Sequence, residues 1–331
     1  MDNVNNNQSD IFVSIIVAVY NAGEFLSRCL DSLINQTYKN YEIICVNDAS
    51  TDNSLIILEE YSRKSDRIKI YNHDKNKNAG GSYNTGLKHS NGDYICIVDH
   101  DDWLSSDAIE VLVEATENGK YDIVGPALCQ VYGDKITDAS PAFLNSCNRE
   151  EIIKYALKNG FSIIGDLIRR DIHVKNSLYY PERVFYEDLA IGYSLLFLSN
   201  HIKGIENHLY FYSHYSTSVT NYTNLTRIID RINSVELYKN NLVKYGFYEG
   251  DYVDLIDCKY LLYSAYTIVL LARIKFREAW PSVKQVCSNI KQHMPNRYIK
   301  EFSFRNKFFL KFPYVAYCVS YVVTKFYKRV R

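Results

Sequence analysis

Three short polar clusters each follow an apolar run: Tyr20-Asn21, Asn47-Asp48-Ala49-Ser50 and Asp99-His100-Asp101-Asp102. The last offers the sharpest chemistry. Side chains alternate along an extended chain end, so Asp99 and Asp101 point the same way and can share one cation. Hard carboxylate oxygens suit Mg2+ or Mn2+, which bind one or two carboxylates together with substrate phosphate oxygens. A plainer reading competes, in which Asp101 and Asp102 open the next helix and meet the positive end of its dipole. Placement favours metal, because these acids end a buried run and a second acidic cluster ends an earlier one. Asp48 likewise has two readings, as capping chemistry before a helix or as an acceptor for a nucleobase N–H.

Such clusters need a frame that brings them to one edge. Residues 13–20, 41–46, 68–71, 94–98 and 123–124 read as strands, several apolar throughout. Between them, apolar residues recur at helical spacing over 25–34, after Asp52, over 82–89 behind Gly80-Gly81, and over 106–118. Strands alternating with helices predict a mostly parallel α/β sheet with right-handed crossovers. Ligands of such sheets bind beyond the carboxyl ends of the strands, where the three clusters lie. After about residue 127 the alternation weakens and the pattern predicts helices with longer loops. From about Leu225 it reads as helical throughout.

The 331 residues suggest about two domains, and 47% hydrophobic content excludes disordered and low-complexity classes. The 38 basic and 38 acidic side chains cancel only in total. From Lys275 onward the chain carries net +11, so everything before it carries −11. The eight scattered cysteines form no CxxC pair, which points to neither zinc nor a disulfide framework and to a reducing compartment. The N-terminus lacks a basic segment followed by an apolar one and does not read as a signal peptide. Apolar stretches at 260–272 and 314–324 are too short to cross about 30 Å of hydrocarbon.

The run Val13 to Asn21, then Arg28-Cys29-Leu30-Asp31-Ser32-Leu33, Asn35-Gln36-Thr37-Tyr38, Asn47 to Ser54, Asn84-Thr85-Gly86-Leu87 and Val98 to Leu104 resembles the opening of family 2 glycosyltransferases. Arg169-Arg170-Asp171 and Tyr186-Glu187-Asp188 resemble that family's acceptor-side segment and Glu-Asp motif. The resemblance implies a GT-A fold, a Rossmann-like, nucleotide-diphospho-sugar transferase sheet. It implies a tail at 1–11, a catalytic domain at 12–222 and a basic helical region at 223–331. Val19, Tyr20, Asn21, Asp48, Asn84, Asp99 and His100 would bind the nucleotide sugar, UDP-sugar by default. Asp99 and Asp101 would hold Mn2+ or Mg2+, with His214 as a third ligand. Asp188, with Glu187 as the fallback, would be the general base for inverting transfer to a glycan or lipid-linked acceptor in cell-surface polysaccharide synthesis.

Four positions depart from the family pattern. Ala18 stands for the usual Pro, Asn47 for the first of two adjacent acids, Tyr83 where Arg is common and Asp166 where a basic residue is frequent. Two rivals remain open at this level: a degenerate scaffold, supported by Tyr83 and Asn47, and a sugar nucleotidyltransferase, whose usual basic, Gly-rich phosphate loop is lacking. The basic tail, with aromatics among its Lys and Arg, fits an anionic membrane face and a location at the inner side of the cell membrane, or else a helical subdomain packed on the catalytic body with a charged solvent face. No groove-reading motif supports nucleic acid.

Overall fold

A computed structural model describes residues 11–138, 144–160, 162–215, 224–293 and 304–330. The chain forms two compact units, one of residues 1–183 and 195–215, the other of residues 184–194 and 216–331. The expected tail at 1–11, apart from Ile11, and the expected boundary at 222 lie outside the described residues.

The first unit is built on β1 (Val13–Val19), α1 (Leu26–Ile34), β2 (Tyr41–Asn47), α2 (Ser54–Lys64), β3 (Ile68–Asn72), α3 (Asn78–His89) and β4 (Tyr94–Asp99). All seven residues of β1 and of β2 are buried, as a strand covered on both faces requires. β1 pairs in parallel with β2 on one side and β4 on the other, with Val19 opposite Asn47 and Ala18 opposite Asp99. The three strands therefore end at one level, and the polar residues after them share one edge. Of α1, Leu26, Cys29, Leu30 and Leu33 are buried, the spacing of one helical face. α3 begins at Asn78, four residues before the expected start, and takes Gly80-Gly81 inside the helix. Its Gly86 allows close approach to β1, since a Cβ there would sit 2.4 Å from Ile16 Cγ2.

The sheet then departs from the expected loops and helices. It continues through β5 (Trp103–Leu104), α4 (Ala108–Ala115), β6 (Ile123–Tyr132), β7 (Lys135–Asp138), α5 (Arg149–Asn159), β8 (Leu167–Arg169) and α6 (Arg170–Asn176). After α7 (Glu187–Leu198), whose first eight residues belong to the second unit, comes the thirteen-residue β9 (Ile202–His214). The strand order is β3-β2-β1-β4-β8-β6-β9-β5, with β7 paired to β6. β8 runs antiparallel to β4, and β6 and β9 run parallel. Pro126, which has no N–H to give a ladder, sits in β6 where the register with β9 shifts between Gly125 and Ala127. The expected strand at 123–124 is the start of β6; that bulge hid its continuation, and irregular burial hid β9.

The second unit comprises the start of α7 with α8 (Leu225–Lys244), α9 (Tyr252–Leu271), α10 (Phe276–His293), α11 (Phe304–Lys311) and α12 (Pro313–Val330). α9 packs against α8, α10, α11 and α12, which explains why it is apolar around its circumference. Its Asp257 forms a buried ion pair with Lys239 at 2.7 Å, and Tyr248 donates its hydroxyl to the same carboxylate. Among the described residues, no helix is long and apolar enough to cross a membrane.

Candidate functional site

β4 delivers Asp99, and the turn after it delivers Asp101 and Asp102. One carboxylate oxygen from each of the three lies within 4.8 Å of the others. Asp99 Oδ1 accepts from the buried Tyr83 hydroxyl at 2.8 Å, so Tyr83 orients this carboxylate. Asp102 is buried and fixed twice, by the Tyr210 hydroxyl at 2.6 Å and the Ser213 amide at 2.7 Å. Burial, followed by the charges of Asp99 and Asp101, pushes the Asp102 carboxyl up to about 9. Gly165, at φ 80, leaves room for the Tyr210 ring, which a Cβ would approach to 2.4 Å.

These acids fit a hard divalent cation. Their oxygens are the ligand type such ions take, and their mutual repulsion, visible in the raised Asp102, is what a cation relieves. Asp99 and Asp101 remain the better-placed ligands, because both Asp102 oxygens already accept protein hydrogen bonds.

Sequence reasoning missed Arg28. From α1 it donates to the Asp101 carbonyl at 2.7 Å and to Ser213 Oγ at 3.1 Å, while stacking 3.9 Å above the Trp103 ring. It thus ties the acid turn to the end of β9. Its only sequence signal was its place in the Arg28-Cys29-Leu30 run.

At the β2 end, Asp48 is 2% exposed. Its amide bonds the Val19 carbonyl at 2.8 Å, and its Oδ1 takes the Lys77 amide at 2.8 Å and faces His73 Nδ1 at 2.7 Å. Oδ2 is buried with no hydrogen-bond partner. Asn21, at φ 49, accepts the Thr51 amide at 2.8 Å and donates its own amide to Ser50 Oγ. Tyr20 beside it is exposed. Asn47 bridges to Asn72 Oδ1 and accepts the Ser50 amide, so the change from an acid leaves a structural bridge.

Other sequence-chosen residues are engaged elsewhere. Asn84 spends its amide group reciprocally on the backbone of Tyr180, at 2.8 and 2.9 Å. His100 Nδ1 lies 2.9 Å from the Ala18 carbonyl. His214 Nε2 meets Gln130 Oε1 and its ring stacks on Tyr132, and it is not drawn into the acid group. Arg169 pairs with Asp122 and Arg170 donates to Ser90 Oγ. Asp166 is fully buried with both oxygens unpartnered, and burial raises its carboxyl well above the ordinary range.

Glu187 and Asp188 form the first turn of α7, in the second unit. Tyr186 before them takes φ 65, the left-handed region a tyrosine seldom adopts. Burial raises Asp188 above the ordinary carboxylate value, and the Leu189 amide and the Arg231 charge offset only part of that rise.

The profile of glycosyl transferase family 2 matches residues 14–172. EpsJ of Bacillus subtilis (strain 168), named an uncharacterized glycosyltransferase, is 33% identical over 216 residues, 63% of this chain and 62% of its own length. The chain thus spans about three-fifths of that relative. The crystal structure of S. aureus TarS 1-349 in complex with UDP-GlcNAc is similar with TM-score 0.73 and 17% identity, over 97% of this chain and 93% of that one. A mannosyltransferase of Pyrobaculum calidifontis, PcManGT, in complex with GDP-Man and Mn2+, is similar at TM-score 0.53 and 14% identity, over 94% of this chain and 87% of that one. The mixed sheet with flanking helices and a C-terminal helical region is the GT-A arrangement. Residues 14–172 thus carry the sequence pattern of glycosyl transferase family 2.

Proposed function

We propose that this protein is a divalent-metal-dependent, inverting glycosyltransferase that uses a UDP-sugar and serves cell-surface polysaccharide synthesis. The observation that carries the reading is the convergence of the Asp99, Asp101 and Asp102 carboxylates at the end of β4, inside the region that matches family 2. Mn2+ or Mg2+ held by Asp99 and Asp101 would stabilise charge on the departing nucleoside diphosphate. The unpartnered Asp48 Oδ2 is an acceptor for a base N–H, which fits the imide of uracil. Tyr20, Val19 and Asn21 complete that pocket at the neighbouring strand end. The UDP-GlcNAc bound to TarS and the Mn2+ bound to PcManGT agree with this choice of donor and ion.

Asp188 is the proposed general base, with Glu187 as fallback. A sugar hydroxyl is a weak nucleophile, and a carboxylate whose affinity for protons is raised takes its proton more readily than an ordinary one. Direct attack on the anomeric carbon then inverts it.

The proposed acceptor is a glycan or a lipid-linked acceptor, and α12 is the proposed contact with an anionic leaflet. Phe312, Val315, Val319, Val322 and Val323 are exposed at helical spacing, in the part of the chain that carries net +11. An apolar stripe beside basic residues is what an interfacial helix presents. Flotation with anionic vesicles should carry the unaltered chain and leave a Val319→Asp/Val322→Asp variant behind; equal flotation of both removes the membrane contact.

The enzymatic reading is tested by a nucleotide-sugar panel with and without Mn2+. The expected result is Mn2+-dependent thermal stabilisation and slow hydrolysis with UDP-sugars. Folded protein that responds to no nucleotide sugar would favour a scaffold.

A further inference from the structure

Arg231 of α8 is a buried charge that the proposed reaction leaves without a use. It is 8% exposed, and its Nε is buried with no hydrogen-bond partner. Its guanidinium carbon lies 5.1 Å from the ring centre of Tyr186, 5.5 Å from that of Tyr263 and 5.1 Å from that of Tyr266. The ring faces attract a cation, but they do not complete the in-plane fork of N–H donors, and arginine cannot shed its proton to escape burial. Charged groups are rarely taken from water without a partner.

Asp188, the acid whose charge acts on Arg231, does not supply one. Asp188 feels the Arg231 charge through space. Among the described residues Arg231 forms no ion pair. Tyr186 is held against the guanidinium at φ 65. Tyr266 is exposed, so the cage is open to solvent on that side.

The geometry points to a binding site for a phosphate group carried by the acceptor, with Arg231 as its cation and Tyr186, Tyr263 and Tyr266 as its walls. The proposal rests on the transferase reading, since it places the acceptor's charged end beside the proposed base Asp188. The planar guanidinium matches phosphate oxygens two at a time, and the tyrosine hydroxyls can donate to the oxygens left over. A phosphate offers more acceptor oxygens than a carboxylate and so uses both donor sets. Two sources carry this chemistry: the phosphate of a lipid carrier, and phosphate within an acceptor polymer.

Titration of the full chain with farnesyl phosphate and, separately, with glycerol 3-phosphate tests the site, with farnesol and glycerol as uncharged controls. The readout is the NMR signal of the Arg231 Nε–H group, followed together with the affinity measured by calorimetry. The expected result is a saturable shift of that signal with at least one phosphate, and at least tenfold weaker binding by Arg231→Gln. A shift with farnesyl phosphate alone assigns the lipid source, and one with glycerol 3-phosphate assigns the polymer source. No shift with either phosphate, or the same shift with the uncharged controls, overturns the proposal. The titration of the unaltered protein suffices for that outcome, which stands even if Arg231→Gln fails to fold. UDP is titrated into the same sample: UDP binding without phosphate binding removes this site and keeps the transferase reading. Phosphate binding without any nucleotide-sugar response removes its role as an acceptor site.

Discussion

In the sheet unit, the charged and polar groups around the strand ends hold one another. Tyr210 and Ser213 fix Asp102, Tyr83 fixes Asp99, and His73 with the Lys77 amide fixes Asp48. In the helical unit, Asp188 and Arg231 interact through space without a bond between them, and burial works against the charge of each. On the proposed reading, the difference teaches how a two-substrate enzyme can divide its construction. A donor site is built in advance, so that its dipoles and acids cost little reorganisation when the nucleotide arrives. An acceptor side keeps charges uncompensated, and the arriving substrate supplies the missing partner.

Removing the acids of the sheet unit is expected to have the largest effect. Asp99→Asn/Asp101→Asn should lower transfer roughly a thousandfold or more, since metal stabilisation of a leaving diphosphate contributes several kcal/mol. Steady-state transfer at saturating Mn2+ measures it, and a loss under tenfold breaks the sheet half of the comparison. Asp188→Asn follows, with a loss of roughly 10^2 to 10^4 in kcat, the usual contribution of general base catalysis. Because burial raises Asp188, its working deprotonated form is lost as pH falls through a value above the ordinary Asp pKa of about 3.9. The acid limb of kcat/KM should therefore lie above that value and vanish in Asp188→Asn, which a pH–rate profile would show.

Tyr83→Phe sharpens the comparison more gently. It deletes one hydrogen bond to Asp99, worth about 1.5–3 kcal/mol for a charged acceptor at most, and should raise the Mn2+ concentration needed for half-maximal activity roughly tenfold. An unchanged Mn2+ requirement would mean that Tyr83 does not orient the acid. The last effect is on stability, with none expected on transfer itself. Folded Asp166 keeps a proton that the unfolded chain releases above about pH 4. Its contribution is therefore complete at low pH and is lost as pH rises towards the folded value, by up to about 1.4 kcal/mol per pH unit. Asp166→Asn should flatten that fall in denaturant titrations between pH 5 and pH 8, whereas an identical slope would contradict the burial.

The sequence made β1 to β4 and the strand-end clusters readable, because fully buried parallel strands are continuous apolar runs and polar residues after them stand out. The clustering of Asp99 with Asp101 and the place of Asp48 after β2 were legible in this way. The start of β6 at 123–124 was read too, but its continuation past Pro126 and the whole of β9 escaped, since Pro126 breaks one pattern and uneven burial blurs the other. Arg28, Tyr210 and Ser213 escaped for a different reason: each acts across a long sequence separation, up to 185 residues for Arg28 with Ser213. Spacing along the chain carries no signal for such contacts. Asn84 shows the converse, a motif residue whose amide is spent on Tyr180.

The most direct test of this division of labour is a calorimetric titration of UDP with Mn2+ into the unaltered chain, Asp101→Asn and Asp188→Asn. Asp101→Asn should lose most of its Mn2+-dependent UDP affinity, while Asp188→Asn keeps it within about threefold. Equal loss in both variants, or Mn2+-independent UDP binding by the unaltered chain, would contradict a donor site built in the sheet unit apart from the acceptor side.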